Sequence, residues 1–156
     1  MEYSKPTFIH KPYFLDSRGF SCFNIFPELE KGQINIGFLE PGVVKGLHFH
    51  LAQYDVWHCF ESNIHVVCAR PKVYPWLFPY STLTIEDSDI YHFYIGSKNP
   101  GILIIPPGFC HGYTNIGNER SGLLYWVTKP YDPKIPDEYR LPWDILGPEI
   151  WKPENK

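Results

Sequence analysis

The chain has 156 residues, 44% hydrophobic and 20% charged, enough apolar surface for about one ordinary domain and too much for a disordered chain. Its 14 basic and 17 acidic side chains leave a net charge of −3 with no basic run, which excludes a general nucleic-acid or membrane-surface binder. Aromatic residues at 17% and 16 prolines point to a β structure rich in turns rather than to a helical bundle.

From the N-terminus, Met-Glu-Tyr-Ser-Lys-Pro carries neither the basic nor the apolar segment of an export signal. The four cysteines, Cys22, Cys59, Cys68 and Cys110, lack CxxC spacing, so a cytoplasmic chain with reduced, buried thiols is expected. Apolar residues then recur with a period of two. Ile34, Ile36 and Phe38 alternate with Asn35 and Gly37; Leu47 and Phe49 alternate with His48 and His50; Val66 and Cys68 alternate with His65 and Val67. Each run predicts a half-buried strand. Turns punctuate them at Ser17-Arg18-Gly19, Glu40-Pro41-Gly42, Glu61-Ser62-Asn63, Asn99-Pro100-Gly101, Pro106-Pro107-Gly108 and Ile116-Gly117-Asn118. Residues 71–90, rich in proline and aromatics, read as an excursion between two strands. The run 122–127 is the last predicted strand, because Pro130, Pro133, Pro136 and Pro142 oppose further ladder pairing; the tail is expected to wrap the outside. The whole, 1–156, reads as a single all-β domain, a sandwich or barrel. The longest aliphatic run, Ile102 to Ile105, is far short of the ~20 residues that cross a bilayer.

Strand alternation sets His48 and His50 on one face, where two imidazoles are either ligands or a base with a neighbour. His111 follows a glycine turn in Pro106-Pro-Gly-Phe-Cys-His111-Gly-Tyr-Thr-Asn115. The set Gly46, His48, His50 and Asp55, with Gly101, Pro106, Gly108, His111 and Asn115, resembles the two short motifs of the cupin superfamily, whose fold is a double-stranded β-helix or jelly-roll barrel. Over residues 16–153 the chain resembles one cupin family, the dTDP-4-dehydrorhamnose 3,5-epimerases. The landmarks run in order: Asp16-Ser-Arg18-Gly19; Gln33-Ile-Asn35; Gly42-Val-Val-Lys-Gly-Leu-His48; Gln53; Ile105-Pro-Pro-Gly-Phe-Cys-His-Gly112; Leu124-Tyr125-Trp-Val-Thr128 with Tyr131; then Trp143-Asp144, Ile150 and Pro153.

The resemblance implies an isomerase that epimerises a nucleotide-linked 4-keto deoxysugar in polysaccharide biosynthesis, without a cofactor. It makes His48 the base, Asp144 the carboxylate that orients it, and Tyr125 the acid. Arg18, Gln33, Asn35, Lys45, His111 and Tyr131 fall at substrate-binding positions. It also implies a homodimer whose N-terminal strands extend the neighbouring sheet. Three departures bear on the chemistry. Lys45 stands where the family has arginine; Asp55 stands where it has a lysine suited to an enolate oxygen; and Phe49-His50 replaces an aromatic followed by glutamine. The alternative is therefore a metal-dependent cupin enzyme, with a divalent transition metal on His48, His50, Asp55 and His111. A catalytically idle, sugar-nucleotide-binding cupin is the remaining alternative, since an anion at position 55 opposes enolate formation.

Overall fold

Strand-forming sequence dominates the computed structural model, which describes residues 1–17, 19–71 and 90–152. Twelve strands are described: β1 (Thr7–His10), β2 (Phe14–Asp16), β3 (Gly19–Ser21), β4 (Gln33–Leu39), β5 (Val44–Phe49), β6 (Asp55–Glu61), β7 (Asn63–Ala69), β8 (Ile90–Gly96), β9 (Gly101–Ile105), β10 (Cys110–Asn115), β11 (Ser121–Val127) and β12 (Tyr139–Arg140). One five-stranded sheet has the order β1-β9-β6-β11-β4, the other β12-β5-β10-β7-β8, and β2-β3 form a separate hairpin. All pairings are antiparallel. This is the all-β barrel that the alternation predicts. No helix of the described residues is long and apolar enough to cross a membrane.

The two sheets close over Trp57, Cys59, Leu103 and Leu123 from one side and Ile64, Val66, Cys68 and Ile95 from the other. Each such apolar side chain stabilises by roughly 1.5–3 kcal/mol when fully buried. A second cluster lies on the outer face of the β5-containing sheet, where Leu47, Phe49, Val67, Ala69 and Cys110 are covered by Leu141, Ile145, Leu146 and Trp151 of the tail. A third lies outside the other sheet, where Tyr3, Ile25 and Phe26 cover Val56, Ile102, Ile104 and Trp126. Cys59, Cys68 and Cys110 are buried within these layers, and burial raises their thiols, to about 12 for Cys59 and Cys110, so they pack as small neutral groups.

Three expectations change. β7 is buried along nearly its whole length rather than half-buried, because the tail covers its outer face. In β4 the apolar set faces out: Ile34, Ile36 and Phe38 are exposed, while Gln33, Asn35, Gly37 and Leu39 face inward, where Gln33 and Asn35 line a cavity and Leu39 joins the core. The tail is not purely a wrap. Between Pro136 and Pro142 the two residues of β12 pair with β5, Tyr139 opposite Phe49 and Arg140 opposite His48. Prolines flank this ladder without sitting in it, so no hydrogen bond is forfeited. The excursion at 72–89 and Arg18 lie outside the described residues.

Candidate active site

In β5, alternation sends Leu47 and Phe49 to the outer cluster and His48 toward the interior, with His50 just past the strand end on the same side. Lys45 would face outward by strict alternation. A register shift against β10, between His111 and Tyr113, brings Lys45 to the cavity side with His48. Gly46 lies at the shift with φ +150°, and a Cβ there would meet the Gly112 Cα at 2.6 Å. Only glycine permits that approach. The β10 register sets His111 opposite His48, and their rings meet edge to face at 4.3 Å.

Around them Asp55 opens β6, almost fully buried. Its Oδ1 accepts from Gln53 Nε2 at 2.8 Å and its Oδ2 from Trp57 Nε1 at 3.1 Å. His50 Nε2 stands 3.6 Å from Oδ1 and His111 Nε2 3.6 Å from Oδ2. His111 Nδ1 donates to the Phe109 carbonyl at 2.9 Å, which leaves Nε2 as a buried lone pair with no hydrogen-bond partner. One donor atom from each of His48, His50, Asp55 and His111 lies within 4.8 Å of the others. Burial alone would raise the Asp55 carboxyl, but the imidazoles of His111 and His50 and the Gln53 amide overcome it and hold it below the usual carboxylate range. Burial lowers His48 well below an ordinary histidine, His111 and His50 lower it further, and only the Asp55 charge opposes them. His48 is thus a neutral imidazole at neutral pH.

A cavity of about 790 Å³ opens above this cluster, lined by Gln33, Asn35, Lys45, His48, Tyr125 and Tyr131 among others. That volume lies in the usual range for a small-molecule site. Tyr125 projects from β11, in the sheet opposite β5. Burial raises its pKa, with the charges of Asp55 and Glu138 adding to the effect, so the phenol stays protonated. Gln33 Nε2 donates to Asn35 Oδ1 at 2.6 Å, and Gln33 Oε1 accepts from the Tyr131 amide at 3.1 Å, tying the floor to the start of the tail.

Two of the expected site residues fall elsewhere. His111 is too deep to line the cavity and instead meets His48 and Asp55 beneath it. Asp144 does not join His48: it is exposed in a turn closed by the Gly147 amide on its own carbonyl, and no hydrogen bond or ion pair among the described residues links the two. The physical reason is the outer apolar cluster, which holds Leu141, Ile145 and Leu146 against the far side of the sheet from His48. The carboxylate beside His48 is Asp55. Trp57, Asp137 and Glu138 also line the cavity; Asp137 and Glu138 reach it through the pairing of the tail with β5, which has no local sequence signal.

No family model matches the chain. It is 34% identical over 113 residues to the spore coat polysaccharide biosynthesis protein SpsL of Bacillus subtilis, covering 72% of this chain and 69% of that one. It is 32% identical over 105 residues to the probable low-salt glycan biosynthesis epimerase Agl13 of Haloferax volcanii, 67% of this chain and 62% of that one. The structure of a dTDP-4-dehydrorhamnose 3,5-epimerase from Sulfolobus tokodaii superposes with a TM-score of 0.64 at 26% identity, covering 86% of this chain and 76% of that one. A dTDP sugar isomerase from Desulfovibrio desulfuricans gives a TM-score of 0.72 at 17% identity, over 90% and 86% of the two chains, and so shows the same fold. The chain belongs to the dTDP-4-dehydrorhamnose 3,5-epimerase family of cupins. Membership makes it an enzyme of the isomerase class. In its cavity the imidazole of His50 and the carboxylate of Asp55 meet beside His48.

Proposed function

We propose that the chain epimerises a nucleotide-linked 4-keto deoxysugar in polysaccharide biosynthesis, with His48 as base and Tyr125 as acid. The supporting observation is that a neutral imidazole and a protonated phenol line one cavity from opposite sheets. His48 removes the proton from the carbon beside the ketone, and the C–H electron pair moves into the enolate. Asp55 stabilises the imidazolium that forms. The Tyr125 hydroxyl then returns a proton to the same carbon from the opposite side, inverting it; the phenolate regains a proton from solvent and the His48 imidazolium releases one to it. Lys45, at the cavity edge, is a cation for the diphosphate. In deuterium oxide the sugar carbon beside the ketone should acquire deuterium; His48→Ala should abolish the exchange, and exchange surviving in that variant would overturn the assignment.

A second reading is favoured by the orphaned lone pair of His111. His48, His50, Asp55 and His111 bring one nitrogen or oxygen each within 4.8 Å of the others, a donor set that suits a divalent transition metal. His48, His50, Asp55 and His111 would hold it, and it would supply Lewis-acid polarisation of the ketone oxygen, the service that the family's lysine gives where this chain has Asp55. Metal content of tag-free protein tests this. About one metal per chain, lost in His50→Ala and Asp55→Ala, would support it; unchanged turnover in Asp55→Ala would overturn it. The exposed Ile34, Ile36 and Phe38 of β4, with Phe14 and Phe20 of the β2-β3 hairpin, support a homodimer, which sedimentation would contradict by finding a monomer.

A further inference from the structure

Pairing of β12 with β5 sets Tyr139 opposite Phe49 and Arg140 opposite His48. Continuing that register past the strand ends brings Asp137 opposite Leu51, beside His50. There its carboxylate accepts one amide on each oxygen, Leu51 on Oδ1 at 2.8 Å and Ala52 on Oδ2 at 3.0 Å, while its own carbonyl meets His50 Nδ1. The His50 carbonyl is fixed in turn by the Gly108 amide at 2.7 Å. We infer that Asp137 is a positioning residue that holds His50 in one tautomer, Nδ1 protonated and Nε2 a lone pair turned toward Asp55.

Both ends of the ring agree on this. A carbonyl only accepts, so the nitrogen facing Asp137 carries the proton. At the other end, the Gln53 amide nitrogen donates to the Asp55 carboxylate, which fixes which way round the amide lies. The same nitrogen stands 3.3 Å from His50 Nε2, so Nε2 accepts. Held this way, His50 meets Gln53 with an acceptor and donates only to the Asp137 carbonyl. The clamp also anchors the segment that carries Tyr131 and Glu138 along the cavity wall. Without the carboxylate, the Leu51 and Ala52 amides lose their acceptors, the segment is released and the Nδ1 proton loses its carbonyl.

The functional consequence rests on the epimerase reading of this cavity, but the tautomer does not, and the two are tested apart. Ring nitrogen NMR of the substrate-free protein should show His50 as the single Nδ1-protonated form. Asp137→Ala should turn it into a mixture, and Asp137→Asn, which keeps one acceptor oxygen, should fall between. Lys134→Ala, an exposed side chain on the same segment, should leave it unchanged. In turnover, Asp137→Ala should lose roughly 10–100-fold in kcat/KM, mostly in KM, as expected for a group that orients another. A wild-type His50 protonated on Nε2, or an unaltered tautomer in folded Asp137→Ala, overturns the proposal. Wild-type protein with the expected tautomer and no deuterium exchange on any nucleotide-linked 4-keto sugar would leave the positioning role standing and overturn the epimerase reading instead.

Discussion

Two groups of histidines, each built around a buried ring, occupy opposite sides of the same sheet. Inside, His48, His50 and His111 converge on Asp55, and the His111 Nε2 has no hydrogen-bond partner among the described residues. Outside, His65 of β7 is equally buried, yet its Nε2 meets His92 Nδ1 at 2.9 Å and its ring stacks on Tyr94 at 4.6 Å and on His92 at 5.1 Å, with Trp151 edge-on at 6.3 Å. Burial therefore does not distinguish the two. What differs is whether the ring nitrogens are answered by neighbours. In the outer pair the two rings answer each other and Trp151 of the tail packs edge-on against His65, whereas in the inner set the His111 Nε2 has no hydrogen-bond partner among the described residues.

Exchanging one member of each group should separate function from stability. Asp55→Asn keeps the shape but removes the charge on which the inner imidazoles converge; deuterium exchange into substrate should fall roughly 10–100-fold in protein that is still folded. His65→Ala should do the reverse. Loss of a large buried ring costs about 2–4 kcal/mol through lost packing and the cavity left behind, read by denaturant unfolding, with turnover retained. If His65→Ala abolished exchange and Asp55→Asn did not, the contrast between the two groups would collapse.

The outer group also carries a pH signature. Burial first, and His92 second, lower His65 to about 4 from an ordinary 6.5. The unfolded chain then takes up the proton before the folded one does as pH falls. The stability from neutral His65 is fully present above about 6.5 and is lost as pH falls toward about 4. His65→Phe should flatten that slope between the two values, measured against wild type by unfolding at a series of pH values. His48 and His58 are lowered as well and keep part of the slope in the variant, so the difference between the two curves is the quantity to read.

Much of this arrangement is legible in the sequence. Period-two alternation gives the strands and puts His48 and His50 on one face, and the glycine turn at Pro107-Gly108 brings His111 to them, because pleating acts locally. What escaped depends on pairing between distant segments. Strand β4 turns its isoleucines outward and gives Gln33 and Asn35 to the cavity, a fact of tertiary structure that alternation alone does not orient. Lys45 joins the His48 face through a register shift at Gly46, which reverses the parity that a regular strand would impose. Asp137 becomes visible only once a two-residue strand between prolines pairs with β5, and Asp144 is carried to the far face by the same tail.

The smallest expected effect probes how the outer group is held. Tyr94 is nearly half exposed, at 46%, yet its ring lies almost parallel to His65, tilted by 11°, directly across the β7-β8 ladder. Such a cross-strand aromatic pair contributes about 1 kcal/mol beyond its area burial. Tyr94→Leu keeps an apolar body on the strand and removes only the stacked ring. Its thermal midpoint should fall by roughly 2–4 °C for a chain of this size. Deuterium exchange should be untouched, and the pH slope below neutrality should be shallower than in wild type, because a more hydrated His65 is lowered less. A steeper slope would mean that the phenol, rather than the buried surroundings, had been easing the protonation of His65, and the outer pair would then be electrostatically active in the way reserved here for the inner set.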